Sequence, residues 1–301
     1  METTRKDGSA SKLFMPFEKL VRSSQGMAIH GDRAFILYDS GLCGVYNLKT
    51  RDPAPVASFR LGSYNEGEPT PDYRNHANHC LFGTREREGS LPYLYVTIGS
   101  GIGADEDGYF YRMSVEKITE EGDSYRSEVL QTISYVPSEV PAPFVSPCWG
   151  CPAFFADEDE GALYIFSARY RTKRGCVPEG EQNAYIITRF DLPKLSDGSF
   201  VRLSGSDIRD QFSVKSNVLF TQGGQLTDGV IYYTFGCPGH EYPVRLMAFD
   251  LRQKKLLWEA DNLSEAFRMK EIECCDWYQG QLLCNTNGGD LIAVHFTDGS
   301  L

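Results

Sequence analysis

The chain has 301 residues, 41 % of them apolar and 24 % charged, an ordinary balance for a globular protein. Its formal charge of −11 repels phosphate backbones and leaves no basic stripe, which argues against nucleic-acid binding. No apolar run reaches the ~18 residues that a membrane-spanning helix needs, and nine cysteines, an odd count, do not read as a disulfide framework.

Residues 1–11 are polar and read as a disordered tail ahead of one domain over residues 12–301. Lys12 to Leu20 then forms a short segment that belongs to no repeat. From Gln25 a phrase begins that recurs along the chain: a polar residue, an apolar residue four positions on, a turn, and an apolar strand. Gln25 to Ile29 precedes the turn His30-Gly31-Asp32 and the strand Ala34 to Tyr38. Tyr46-Asn47-Leu48 closes the next strand, and Val56 to Leu61 follows. The phrase returns as Asn78 to Phe82 before Tyr93 to Ile98, with Ser127 to Val136 completing that unit. Cys151 to Phe155 leads through the acidic turn Asp157-Glu158-Asp159-Glu160-Gly161 to Ala162 to Ser167, closed by Phe190-Asp191-Leu192. Helical turns are expected at Asp207 to Phe212 and Ser264 to Met269. Gln222 to Leu226 precedes Val230 to Phe235, closed by Phe249-Asp250-Leu251 and Lys255 to Ala260. Glu273 to Trp277 precedes Gln281 to Asn285 and Leu291 to Phe296.

Each unit reads as four strands joined by turns, and the repetition predicts an all-β, five-bladed β-propeller. The last unit lacks its fourth strand. Lys12 to Leu20 can supply it beside Leu291 to Phe296, closing the ring and covering an exposed edge. A six-bladed ring and a β-sandwich are the rival folds.

In a propeller the first strand of each blade lines the central channel, so the residues that open these strands converge. Here they are Gln25, Asn78, Cys151, Gln222 and Glu273. A few polar groups meeting in an apolar wall form the usual signature of a small-ligand site. His79 flanks the ring, and loops carrying His76, Trp149 and His240 are expected to shape its mouth. The reading is a monomeric, non-enzymatic binding or sensing propeller for a small molecule, sugar or peptide, without a cofactor. As written, the chain reads as cytoplasmic; a leader ahead of it would make it exported or lipid-anchored.

The alternative is an enzyme at the channel mouth with Glu273 as acid/base, since burial raises a carboxyl's pKa toward neutrality. Glycoside hydrolysis needs a second carboxylate, for which Asp72, Glu139 and Glu241 are candidates. Cys80, Cys148, Cys151 and His76 are the potential zinc ligands. They read better as small residues in a crowded wall. The acidic turns lack the ligand spacing of a calcium loop and read as solvated hairpins.

Ser24-Gln25-Gly26-Met27-Ala28, Tyr46-Asn47-Leu48, Asn78 to Gly83 and Leu91 to Val96 together resemble the TolB-like propeller proteins of gut Bacteroidetes. That resemblance implies a propeller, usually of six blades and often exported with a lipidated leader, and implies no reaction. Phe220-Thr221-Gln222-Gly223 is similar to the F-T-Q-G motif of plant and bacterial glutaminyl cyclases. This second likeness implies Gln222 as amide binder, Glu273 as acid/base and Trp149 as wall.

Overall fold

The computed structural model describes residues 3–39, 41–63, 77–97, 112–137, 139–170, 177–214, 221–238 and 242–298. Two N-terminal strands, β1 (Thr4–Arg5) and β2 (Lys12–Pro16), come first. One sheet holds β3 (Ser24–His30), β4 (Arg33–Tyr38), β5 (Leu42–Asn47) and β6 (Ala57–Arg60). The next holds β7 (His79–Phe82), β8 (Leu94–Thr97), β9 (Arg112–Glu121) and β10 (Ser124–Tyr135). The third is built on β11 (Trp149–Asp157), β12 (Ala162–Ala168) and β13 (Tyr185–Asp191). After β13 the chain leaves to add β14 (Phe200–Leu203) in parallel to the outer edge of β10, then returns as β15 (Asp210–Val214). The fourth sheet holds β16 (Thr221–Thr227), β17 (Val230–Cys237), β18 (Tyr242–Asp250) and β19 (Lys255–Ala260). The fifth holds β20 (Ile272–Tyr278), β21 (Gln281–Thr286) and β22 (Asp290–Val294), completed by β2. Five meandering antiparallel sheets with neighbouring inner strands in contact are a five-bladed β-propeller. The six-bladed alternative is thereby set aside.

Ring closure follows the expected route. β2 pairs antiparallel with β22, Leu13 opposite Ile292 and Met15 opposite Leu291. Phe14, Met15 and Phe17 thereby enter the core shared with blade one. The repeated closing phrase also has a structural reason. Tyr46, Phe190 and Phe249 are fully buried between blades. Two residues on, the leucine N–H returns to the inner hairpin: Leu48 to Asp32 O at 2.9 Å, Leu192 to Gly161 O at 2.9 Å, and Leu251 to Gly229 O at 3.0 Å. The phrase therefore pins the third strand of each blade to the turn between the first two.

Three expectations differ from the structure. The tail is ordered from Thr3 onward: β1 runs parallel to β19, with Thr4 opposite Trp258. Lys6 lies 5.7 Å from the Trp258 ring and 5.1 Å from that of Phe296, so its charge is held by aromatic faces. Of Asp207 to Phe212, the residues from Asp210 on are strand, because Ile187 and Thr188 offer β15 a free edge opposite Phe212 and Gln211, and Asp207 ends a helical turn. The helical turns fall just before it, at Leu195–Asp197 and Gly205–Asp207. The acidic hairpin is only partly solvated. Glu158 is buried and takes Arg87 at 2.7 Å, Arg85 N–H at 2.9 Å and Tyr95 O–H at 2.9 Å from blade two.

Candidate functional site

The residues singled out by the repeat lie at the beginning of the inner strands: Gln25, Gln222 and Glu273 are second in theirs, Cys151 is third, and Asn78 immediately precedes β7. Gln25, Asn78, Gln222 and Glu273 are all at most 5 % exposed and stand at the same end of their blades. In four blades the inner strand is bulged there, the register breaking between Ser24 and Met27, Trp149 and Ala153, Thr221 and Gly224, and Ile272 and Cys274. A bulge bends a strand and redirects its side chains, and such bulges gather beside binding sites.

Blades one and four use the same local device. Ser24 Oγ donates to Thr286 O at 2.9 Å, and Thr221 Oγ1 donates to Gly150 O at 2.8 Å, so each hydroxyl ties its strand to the preceding blade. The glycine after each glutamine permits close approach of backbones. A Cβ on Gly26 would lie 2.9 Å from Ala77 O, and one on Gly223 would lie 2.8 Å from Asn78 O and 2.9 Å from Glu273 O. The glutamines between these devices are thus held at the axis by their backbones.

Below this ring the channel is filled. His79 accepts Gly224 N–H on Nδ1 at 3.3 Å, and its Nε2 donates to Phe154 O at 3.1 Å. One side chain of blade two therefore joins blades three and four. Burial pushes its pKa down to about 3, so the ring is neutral and the two bonds set its tautomer. Cys274 Sγ donates toward Met27 O at 3.5 Å and Gly224 O at 3.6 Å, tying blade five to blades one and four. Thr234 Oγ1 reaches Gly223 O at 2.6 Å and Glu273 O at 3.2 Å. β16 also packs across the axis against β3 and β7. The ring residues consequently stand over a packed layer that joins all five blades.

Gln25 Oε1 and Asn78 Oδ1 are buried and have no hydrogen-bond partner among the described residues. A buried amide left so is uncommon and calls for an explanation. No hydrogen bond from a described residue reaches the Glu273 carboxyl. Burial, then the nearby charges of Glu271 and Asp39, push its pKa well up, which favours the protonated form. Gln222 is different: its Nε2 donates to Glu271 Oε1 at 2.9 Å and Gly236 O at 3.3 Å. Asn287 Nδ2 holds the other Glu271 oxygen at 2.8 Å. Asn285, opposite Cys274 in register, donates to Gln25 O at 2.7 Å.

The predicted residues thus separate. Gln25, Asn78, Gln222 and Glu273 come together. His79 lies beneath them with both ring nitrogens engaged, so it offers no free ring nitrogen to a ligand. Trp149 is half-buried and opens β11, where a loop was expected. His76 and His240 lie outside the described residues, as do Asp72 and Glu241, and of Cys151 only the backbone is described. Cys80 sits in the core between blades one and two, and Cys148 in that of blades two to four, so these two are not brought together. Glu271, Asp39 and Asn285 were missed by the sequence reading. Glu271 was open to detection only as a second acidic residue two positions before Glu273, ahead of the bulge that opens β20. Asp39 comes from a different loop and carried no signal.

No family model and no curated protein matches this chain. Among solved structures it is similar to a glutaminyl cyclase from Myxococcus xanthus, with 13 % identity, 98 % of each chain covered and a TM-score of 0.52. It also overlays on the β-propeller domain of Myceliophteria thermophila Cps50 (Swd1), with 10 % identity, 93 % of this chain and 85 % of that one covered, and a TM-score of 0.39. The likeness to the cyclase, at that identity, shows the shared fold alone.

Proposed function

We propose that the protein binds a small polar ligand, free or at the end of a peptide, at the ring formed by Gln25, Asn78, Gln222 and Glu273. One observation carries this reading: two primary amides, each 4 % exposed, end in oxygens that the described protein leaves unpaired. Leaving a buried polar atom unpaired costs about 1–3 kcal/mol. A ligand that donates to both oxygens recovers that cost on binding. The packed layer beneath suits a terminal group that enters from one face only.

The test is a thermal-shift panel of polyols, amines, short peptides and carboxylates. A ligand present at about 100 times its Kd stabilises by about 2.7 kcal/mol, a shift of several degrees for a domain of this size. Gln25→Ala and Asn78→Ala should each reduce it. No shift from any class, or a shift untouched by both variants, would refute the reading.

A second reading is favoured by the protonated, unpaired Glu273 beside Gln222. In this reading the protein catalyses glutaminyl cyclisation. In that reaction the α-amine attacks the side-chain carboxamide carbon and a C–N bond to the amide nitrogen breaks. Glu273 would give its proton to the departing ammonia and take one from the attacking amine, while Gln222 binds the amide and Trp149 walls the site. Ammonia release from a glutamine-initiated peptide, abolished in Glu273→Gln, is the result this reading requires.

A further inference from the structure

A small cleft opens on blade three and shares no residue with the ring. It measures about 170 Å³ and is bounded by residues 143–145, by β15 and by Arg169, which follows β12 directly. Its frame is fixed by hydrogen bonds. Gln211 Oε1 accepts Val145 N–H at 2.9 Å, and Gln211 Nε2 donates to Val145 O at 2.8 Å and Thr188 Oγ1 at 2.7 Å. These bonds hold the segment beside β15 and use the donors of the Gln211 amide. On the other side Arg169 N–H donates to Ala184 O at 2.9 Å, and Tyr170 exchanges two bonds with Asn183, each 3.0 Å long. Phe144, Val145 and Phe212 give the cleft its apolar side.

Arg169 is the one charged residue among those lining the cleft. Its Nε is buried without a hydrogen-bond partner, and no carboxylate of a described residue forms an ion pair with it. The guanidinium carbon lies 5.5 Å from the centre of the Tyr170 ring. The Tyr170 hydroxyl, which Arg169 also reaches, donates to the Glu181 carboxylate. A guanidinium has five donors, so this contact leaves most of them open. A buried donor without an acceptor is costly and calls for an explanation.

We infer that the cleft binds a small carboxylate with an apolar body of about one ring, its carboxylate paired with Arg169. The guanidinium fork matches two carboxylate oxygens at once, and such charge-assisted bonds are about twice as strong as neutral ones. A neutral amide offers one oxygen and no charge. Phosphate would bring a strongly hydrated group against Phe144 and Phe212. Size agrees with the class, since an apolar cavity of about 150 Å³ takes one benzene ring. The acid could be free or the C-terminal residue of a peptide; both present the same chemistry.

The experiment is titration calorimetry on the full chain with benzoate, benzamide, benzylamine, inorganic phosphate and N-acetylphenylalanine. Benzoate should bind at least tenfold tighter than benzamide, and benzylamine and phosphate should give no heat. N-acetylphenylalanine binding as well as benzoate points to a peptide end; benzoate alone points to a free acid. Arg169→Gln should weaken benzoate binding at least tenfold. Ser213 is exposed on the edge strand β15 and lines the cleft, so Ser213→Phe should block binding with Arg169 still in place, which keeps the test open if Arg169→Gln does not fold. Gln25→Ala should leave benzoate binding unchanged. No heat from either acid at millimolar concentration, equal affinity for benzoate and benzamide, tighter binding of phosphate, or binding undiminished in Arg169→Gln or Ser213→Phe overturns the inference. If Gln25→Ala removes benzoate binding and Arg169→Gln keeps it, the acid sits at the ring; the ring reading then stands and this one falls.

Discussion

Asp276 gives the sharpest test of how this ring is held together. It lies on β20, 3 % exposed, where blades one, four and five meet. Its Oδ2 accepts Ile29 N–H at 2.5 Å, and its Oδ1 accepts Trp277 N–H at 2.6 Å and Gln225 Nε2 at 2.7 Å. Burial outweighs these three donors and pushes the carboxyl from 3.8 up to about 7. The folded protein therefore holds this proton more tightly than the unfolded chain does. Its contribution to stability is complete below about pH 4 and is lost as pH rises to about 7. At about 1.4 kcal/mol per pH step, the interval amounts to about 4 kcal/mol. In Asp276→Asn the amide oxygen keeps the two bonds of Oδ1, and Nδ2 faces the Ile29 N–H. That clash of donors costs about 1–3 kcal/mol at every pH. Urea unfolding of both proteins from about pH 4 to about pH 8 should show the wild type ahead by most at the acid end. That lead of about 1–3 kcal/mol should fall by about 4 kcal/mol toward neutrality, which leaves the variant the more stable of the two. Curves that stay parallel within about 1 kcal/mol would show that the Asp276 proton is not what links stability to pH.

Other outcomes follow from single contacts. Glu273→Gln should gain stability relative to wild type as pH rises above the ordinary glutamate value of 4.5, because the unfolded wild type then gives up a proton that the folded protein keeps; paired melting curves across pH will show it. Glu116 is fully buried and takes Gly62 N–H at 2.9 Å, Ser114 O–H at 2.8 Å, and the hydroxyls of Ser63 and Ser127. Glu116→Gln should cost about 1–3 kcal/mol and Glu116→Ala clearly more, since serine hydroxyls can rotate to accept from an amide but cannot replace a missing one; equal losses in urea would contradict this. Gly83→Ala places a Cβ 2.6 Å from the Glu158 carboxyl and should cost about 2–4 kcal/mol by prising it from Arg87 and Tyr95. Removing residues 1–16 uncovers the β22 edge and takes Phe14 and Met15 from the core; size-exclusion chromatography should then show concentration-dependent association.

The blade count, the closing strand and the polar ring were legible because each depends on local pattern. A four-stranded meander repeats its turns and its buried aromatic at fixed offsets, and Tyr46, Phe190 and Phe249 announce three blades in that way. Gln25, Asn78, Gln222 and Glu273 could be named because they open equivalent strands, and symmetry brings equivalent positions to the axis. The length of the ordered N-terminus was not legible. Thr4 and Arg5 carry no strand signal, and their pairing depends on the free edge of β19, more than 250 residues away in the chain. The role of His79 was equally hidden. Its sequence neighbours place it beside the ring, but its fate is set by Gly224 N–H and Phe154 O from two other blades. Charge followed the same rule. Glu158 reads as a solvated turn residue until Arg85, Arg87 and Tyr95 of the adjoining blade surround it. Sequence alone determined the repeat, and with it which residues face the axis. Tertiary structure decided which of them are satisfied by protein and which remain unpaired, because hydrogen bonds between blades join residues that no local pattern relates.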